Sequence, residues 1–282
     1  MKKIIALTLA LMLTVCCLAG CGGGEANENT LTMATNAEFP PFEYLEGEEI
    51  VGADVDIANA IAEKLGKTLE ITNIDFDAAL TGAATGKYDV AIAGVTATDE
   101  RRQNMGFTDD YYTASQAIIV TADSAIKSAA DLTGKTVSCQ EGTTGEQYLL
   151  DNGYSVQSFK TGAEAISALT AGKVDAVVID DAVARALSSK QEGKTVVLDE
   201  ALTEEAYAIV TKLGNDELIA EINGALAELK AEGKLAEIFE KYELPYDAEY
   251  SFSDLKQKSG DSLSPLFSRK GFNYYGLAFK MV

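Results

Sequence analysis

From Leu31 to Leu244 short β-type runs alternate with helical runs, and this alternation constrains the fold more than any other feature of the chain. It is the signature of an α/β protein. "LTMAT" (31–35), "LEIT" (69–72) and "YDVAIAG" (88–94) read as strands, the last apolar throughout as in a buried parallel sheet. Between them, Val55, Ala58, Ile61, Ala62 and Leu65 recur at helical spacing from Asp54 until Gly66 stops the run, and a second helix is predicted over Phe76 to Thr85. The plan then repeats. "KTVSCQ" (135–140), Val156 to Phe159 and "VDAVVID" (174–180) are the strands, with helices from Thr144 and from Ala163 to Thr170.

Two segments carry the same phrase. "TGKYDVAIAG" (85–94) and "AGKVDAVVID" (171–180) both set Gly-Lys-x-Asp between a helix and a buried strand. Either this is a recurring turn or the chain has two similar lobes; the repeated order of elements supports the lobes. "SQAIIVTAD" (115–123) leaves the first half and "EEAYAIVTK" (204–212) leaves the second. A long helix from Asn215 to Ala231, ended by Gly233, and a short one to Tyr242 follow. If these helices pack back on the first lobe, the chain crosses between lobes twice, and two crossing strands make a hinge. The expected division is lobe 1 over 31–117 and 210–244, lobe 2 over 118–209, and a C-terminal extension over 245–282 without clear periodicity.

Composition removes several functions. The formal net charge is −21, with 44 acidic residues, whereas nucleic-acid binding needs basic patches. No histidine is present, so the usual general base and the commonest metal ligand are missing. Neither a metal nor a cofactor is expected. At the N-terminus, Lys2 and Lys3 precede an apolar run from Ile4 to Leu18, which reads as a signal peptide over 1–20. "LAGC" (18–21) resembles the bacterial lipobox, a resemblance that implies lipidation of Cys21, and "GGGEANENT" after it suits a flexible tether over 21–30. Cys139, in a probable strand, reads as a small buried hydrophobe.

The candidate site residues lie where strands end, as ligands in open α/β sheets do. After the buried strand, Gly94 lets a ligand approach its amide and Thr96 offers a hydroxyl. Thr98 reads as a helix N-cap with Asp99 and Glu100 in the first turn. Arg101, one of four arginines, offers a planar fork matched to a carboxylate; a salt bridge to Asp99 or Asp109 is the plainer alternative. In the second half, Thr143 and Thr144 of "EGTTGEQ" either bind an anion at a helix N-terminus or cap that helix. Asp180 or Asp181 suits an ammonium group or caps the next helix. "NAEFPPFEY" (36–44) is stiffened by Pro40 and Pro41. One of Phe39 and Phe42 belongs to the core and the other to a cleft, with Phe76 as its partner.

On the motifs "FPPFEY", "VGADVDIANAIAEKLG", "GKYDVAIAGVTATDERR", "FTDDYY", "LTGKTVSCQEGTTGE" and "GKVDAVVIDDAVA", the chain resembles the extracellular solute-binding proteins of family 3, which serve ABC importers of polar amino acids. The resemblance implies a two-lobed periplasmic-binding-protein-like fold of type II, with two Rossmann-like lobes joined by two hinge strands. It implies that Gly94, Thr96 and Arg101, joined by Thr143 or Thr144, hold the α-carboxylate. Asp180 would take the α-ammonium, leaving Asp181 to cap, and Phe39 and Phe76 would flank the side chain. Members that select basic side chains or glutamine often carry aspartate where Asn36 stands, which leaves Glu38 as the nearest charge. The expected function is a lipid-anchored, monomeric importer subunit on the outer face of the cell membrane. Its partners would be permease subunits and a free L-amino acid, cationic ahead of glutamine or another neutral polar one. The alternatives are a ligand sensor and a dehydratase-type enzyme using Asp180 and Glu141 for acid–base work.

Overall fold

The computed structural model describes residues 29–246. The signal segment 1–20, Cys21, the tether up to residue 28 and the extension from 247 onward lie outside the described residues.

The chain opens with strand β1 (Thr30–Thr35), a small hairpin sheet of β2 (Glu38–Phe39), β3 (Glu43–Glu46) and β4 (Glu49–Val51), then helix α1 (Ala53–Lys64). Next come β5 (Thr68–Asn73), α2 (Phe76–Thr85), β6 (Val90–Ala91), β7 (Met105–Ala114) and β8 (Gln116–Thr121). The second half runs β9 (Thr136–Gln140), α3 (Thr144–Asp151), β10 (Ser155–Phe159), α4 (Gly162–Thr170), β11 (Ala176–Asp180), α5 (Asp181–Ser189) and β12 (Thr195–Val197). The chain then passes into β13 (Glu205–Lys212), α6 (Asp216–Ala231) and α7 (Lys234–Lys241).

Two five-stranded sheets result, ordered β5-β1-β6-β13-β7 and β10-β9-β11-β8-β12. In the first sheet β1 runs parallel to β6, and in the second β9 runs parallel to both β10 and β11. The returning strands are antiparallel. Both sheets and everything between them belong to one compact unit that begins at Leu31. The chain changes sheet at Ser115, between β7 and β8, and returns between Val197 and Glu205. The return falls earlier than the predicted 209/210 boundary. Glu205 already pairs with Ala114, so all of β13 lies in the first sheet.

The repeated phrase has a structural cause. Gly86 and Gly172 both sit at positive φ, 78° and 68°, which ends the preceding helix in the left-handed conformation glycine tolerates. The aspartate that follows then reaches across to the first strand of its own sheet. Asp89 Oδ2 accepts from the Thr32 amide at 2.8 Å and Asp175 Oδ2 from the Thr136 amide at 2.8 Å. Both turns lock a helix–strand connection to the strand beside it.

The helix predicted after Thr98 is a single 3-10 turn over Arg101–Gln103, with the Arg101 amide donating to Thr98 Oγ1 at 3.1 Å. The Thr98 hydroxyl holds the Arg101 backbone rather than starting a longer helix. Under the hairpin, Phe42 meets Tyr112 and Tyr207 edge-on at 5.0 and 5.2 Å, and Tyr112 meets Phe239 of α7 at 5.1 Å. This aromatic core joins the hairpin, both crossing strands and the C-terminal helix. The same helices are tied to α1 by Lys64 with Glu232 at 2.6 Å and Lys241 with Asp56 at 2.6 Å. No described helix is long and apolar enough to cross a membrane.

Candidate ligand-binding site

One pocket lies between the two sheets. Asn36, Phe39, Glu43, Phe76, Ala93, Gly94, Thr96 and Arg101 line it from the first lobe, and Gln140, Thr143, Thr144 and Asp180 from the second. Nine of the ten predicted binding residues are therefore brought together. The exception is Glu38, which is exposed while its neighbour Phe39 is buried. Successive side chains of a strand point to opposite faces, so Phe39 turned inward sends Glu38 outward. The residue turned inward with Phe39 is its cross-strand partner, Glu43.

Phe42 is the core phenylalanine, fully buried, and Phe39 faces the pocket. Phe39 also explains Gly94. That residue has φ +56°, and a Cβ there would come within 2.7 Å of the Phe39 ring; both conditions demand glycine. The strand leading to it is only two residues long, because the backbone turns out of the ladder toward the pocket.

Arg101 is held in place by its own hydrogen bonds. Nη1 donates to the Thr96 carbonyl and Nη2 to the Gly142 carbonyl, each at 2.9 Å. The guanidinium lies 5.6 Å from the centre of the Phe76 ring. One cation thus spans both lobes and stacks on an aromatic face. Burial pulls its pKa down, and Glu205, Asp180 and Asp77 pull it back up.

The threonine hydroxyls are already committed. Thr143 caps α3, accepting from the Glu146 amide at 3.3 Å and donating to the Gln140 carbonyl at 2.8 Å. Thr96 Oγ1 and Thr144 Oγ1 both donate to Glu205 Oε2, at 2.5 and 2.8 Å, and Thr203 Oγ1 donates to Oε1 at 2.8 Å. A hydroxyl has one proton. Spent on Glu205, it leaves the Thr96 oxygen as an acceptor for a ligand, while the Thr144 oxygen already accepts from Gln116 Nε2 at 3.2 Å, so a ligand carboxylate has Arg101 and backbone amides rather than these hydroxyls for donors.

A model of the bacterial extracellular solute-binding proteins, family 3, matches residues 31–245. The chain belongs to this family. It is 33% identical over 251 residues, covering 86% of this chain and 98% of the relative, to the arginine-binding extracellular protein ArtP of Bacillus subtilis (strain 168). Among solved structures, an ancestral arginine-binding protein bound to glutamine is 41% identical with a TM-score of 0.73, covering 76% of this chain and 97% of that one. An ancestral arginine-binding protein bound to arginine is likewise 41% identical, with a TM-score of 0.72, covering 76% of this chain and 98% of that one. Such neighbours are two-lobed amino-acid-binding proteins, and this family 3 protein shares their fold.

Within this solute-binding protein the pocket lining includes two buried acids, Glu43 and Asp180. Asp180 accepts from the Tyr207 hydroxyl, and burial, reinforced by Glu205, raises its pKa to about 7. It stands at the N-cap position of α5 without making a side-chain cap bond. Asp181 opens that helix; burial raises its carboxyl while the amides of Ala182 and Ser115's connection hold it back. Behind the pocket, Asp54 accepts from the Gly94 amide at 2.9 Å and from the Tyr111 hydroxyl at 2.9 Å. Burial raises it to about 6 despite those bonds. Asn36 spends its amide structurally, donating to the Ile74 carbonyl at 3.2 Å and accepting from Gln140 Nε2 at 3.1 Å across the lobes.

Glu43, Asp54, Gln140 and Glu205 were not anticipated as site residues. Two of them left a signal. Asp54 sits four residues before Ala58 and seven before Ile61, on the apolar stripe of α1 where a solvated aspartate has no place. Glu43 is flanked by two aromatics, Phe42 and Tyr44, although the hairpin around it is rich in glutamate.

Proposed function

We propose that this protein is the receptor subunit of an ABC importer for an L-α-amino acid with a cationic side chain, anchored outside the cell membrane through lipidated Cys21. The observation that carries the side-chain preference is the polarity of the unpaired atoms. The buried side-chain atoms lining the pocket without a hydrogen-bond partner are Glu43 Oε1, Glu43 Oε2 and Gln140 Oε1. All three are acceptors. A guanidinium brings five N–H donors and a positive charge, and a buried unpaired acceptor is costly until a donor arrives.

The remaining assignments follow the charges. Arg101 meets the α-carboxylate, and Asp180, with the Thr96 hydroxyl as a second acceptor, meets the α-ammonium. Phe39 and Phe76 flank the side chain on its way to Glu43. Because Arg101 and Gln140 already touch both lobes, a ligand bound here favours the closed arrangement over an open one. The arginine-binding names of several relatives support the same ligand class. A second reading, glutamine, is favoured by the ancestral relative solved with that ligand.

A thermal-shift panel of the twenty amino acids on the purified protein tests the reading. Arginine, lysine or histidine should stabilise most and glutamine less. Stabilisation by glutamate or aspartate alone would overturn the electrostatic argument, and stabilisation by none would overturn the amino-acid assignment.

A further inference from the structure

Glu43 is fully buried on β3, yet neither of its carboxylate oxygens has a hydrogen-bond partner. The groups around it are occupied elsewhere. From α1, Asp54 is a second carboxylate, near enough to accept a hydrogen bond from Glu43 when Glu43 is protonated, and it also accepts from the Gly94 amide and from Tyr111 of β7. From the end of β11, Asp180 is a third, satisfied by Tyr207 of β13. Arg101, the cation of the pocket lining, directs two of its N–H groups to the carbonyls of Thr96 and Gly142. Ionised, Glu43 has neither donor nor counter-ion and faces two other carboxyls; protonated, it can donate to Asp54. Uncharged, it avoids both penalties.

We infer that Glu43 holds a proton in the empty pocket and releases it when a cationic side chain binds, so that the protonation state of this one carboxyl sets which side chain the pocket accepts. The inference rests on the amino-acid reading above and deepens it. The step balances simply: the Glu43 O–H bond breaks, the proton leaves to solvent, and the ligand's guanidinium or ammonium replaces it as the positive partner. The direction of the pKa agrees, since burial first, and then Asp54 and Asp180, push Glu43 well above the ordinary carboxyl range.

The two forms of the side chain recognise different ligands. As a carboxylate, Glu43 offers two acceptor oxygens, matched to the parallel N–H groups of a guanidinium. As an acid, it offers one O–H donor and one carbonyl acceptor. That pair matches a primary amide, whose oxygen accepts and whose nitrogen donates. One pocket can thus take arginine when Glu43 is ionised and glutamine when it is not. Below the pKa of Glu43 in the empty protein, the cationic side chain releases about one proton from it, so arginine affinity gains about tenfold per pH unit over glutamine affinity.

Calorimetry on the mature protein decides the matter, with L-arginine and L-glutamine titrated at one pH in buffers of different ionisation enthalpy. Both ligands bring an α-ammonium to Asp180, so release shared by the two belongs there; arginine should release about one proton more than glutamine. Glu43→Gln, checked for an unchanged melting profile, should abolish that excess and turn the preference toward glutamine at every pH. Arginine binding with no more release than glutamine in the unmodified protein would overturn the inference without the need for a variant. So would an excess that persists in Glu43→Gln, because the proton would then reside on another carboxyl. If neither amino acid binds, the amino-acid reading falls and takes this inference with it, whereas arginine binding without excess release removes only the latter.

Discussion

Arg101 and Arg102 are adjacent in sequence and opposite in consequence, which makes them a matched pair. Arg101 is half-buried and makes two 2.9 Å bonds to carbonyls on opposite lobes. Its remaining N–H groups are available to a ligand carboxylate in a pocket whose other charged groups are acids. Arg101→Ala leaves such a carboxylate desolvated and unpaired, a loss of about 2–5 kcal/mol, or roughly thirty-fold to several thousand-fold in Kd. Loss of the bond to Gly142 also removes one link that favours closure. Arg102 is exposed and lies 5.1 Å from the Phe107 ring, a contact worth about 0.5–1 kcal/mol to stability and nothing to the pocket. Arg102→Ala should therefore bind with the Kd of the unmodified protein and melt slightly lower. Isothermal titration with the best ligand from the panel measures both, and thermal melts confirm that each variant is folded. Equal losses at the two positions, or a loss at Arg102 alone, would refute the assignment.

Two further predictions follow from groups outside the direct contacts. Glu205→Gln can accept from fewer of the three threonine hydroxyls that converge on it, and one of its amide hydrogens points back at them. Ligand affinity should fall by the equivalent of about 1.5–3 kcal/mol, and an unchanged Kd by titration would show that the orientation of Thr96 and Thr144 does not depend on this carboxylate. Cys21→Ala should shift the protein from the membrane fraction to the soluble fraction, since stable anchoring takes more than one lipid chain; a variant that still sediments with membranes would overturn the lipobox reading.

What could be read from the sequence depended on how local its cause was. Helix α2 was legible to the residue, because Phe76 to Thr85 is bounded by an aspartate before it and by Gly86 in the left-handed conformation after it. The run 88–94 was legible as buried but not as a ladder, since the pairing stops at Ala91 and the next residues belong to the pocket wall. Glu38 is the charge nearest Asn36 along the chain, but nearness along the chain is not nearness in space. The hairpin that pairs Phe39 with Glu43 reverses that order. Glu205 was invisible for a different reason. Its role comes from three threonines up to 109 residues away, and nothing in "LTEEAY" separates it from the exposed Glu204 beside it.

The strand order of the first sheet governs the sequence of events by which the chain acquires its shape. The second sheet is built from one uninterrupted stretch, β8 to β12. The first places β13 between β6 and β7. A chain emerging from its N-terminus therefore completes the second sheet while the first still lacks an interior strand, and β6 and β7 have no partner on their facing edges until residue 212 arrives. Unpaired edges invite mispairing with other chains. The lobe made first in sequence is finished last in space, so the interval between residues 114 and 212 is when a nascent molecule is most exposed to aggregation, and it is where holding chaperones have the most to protect.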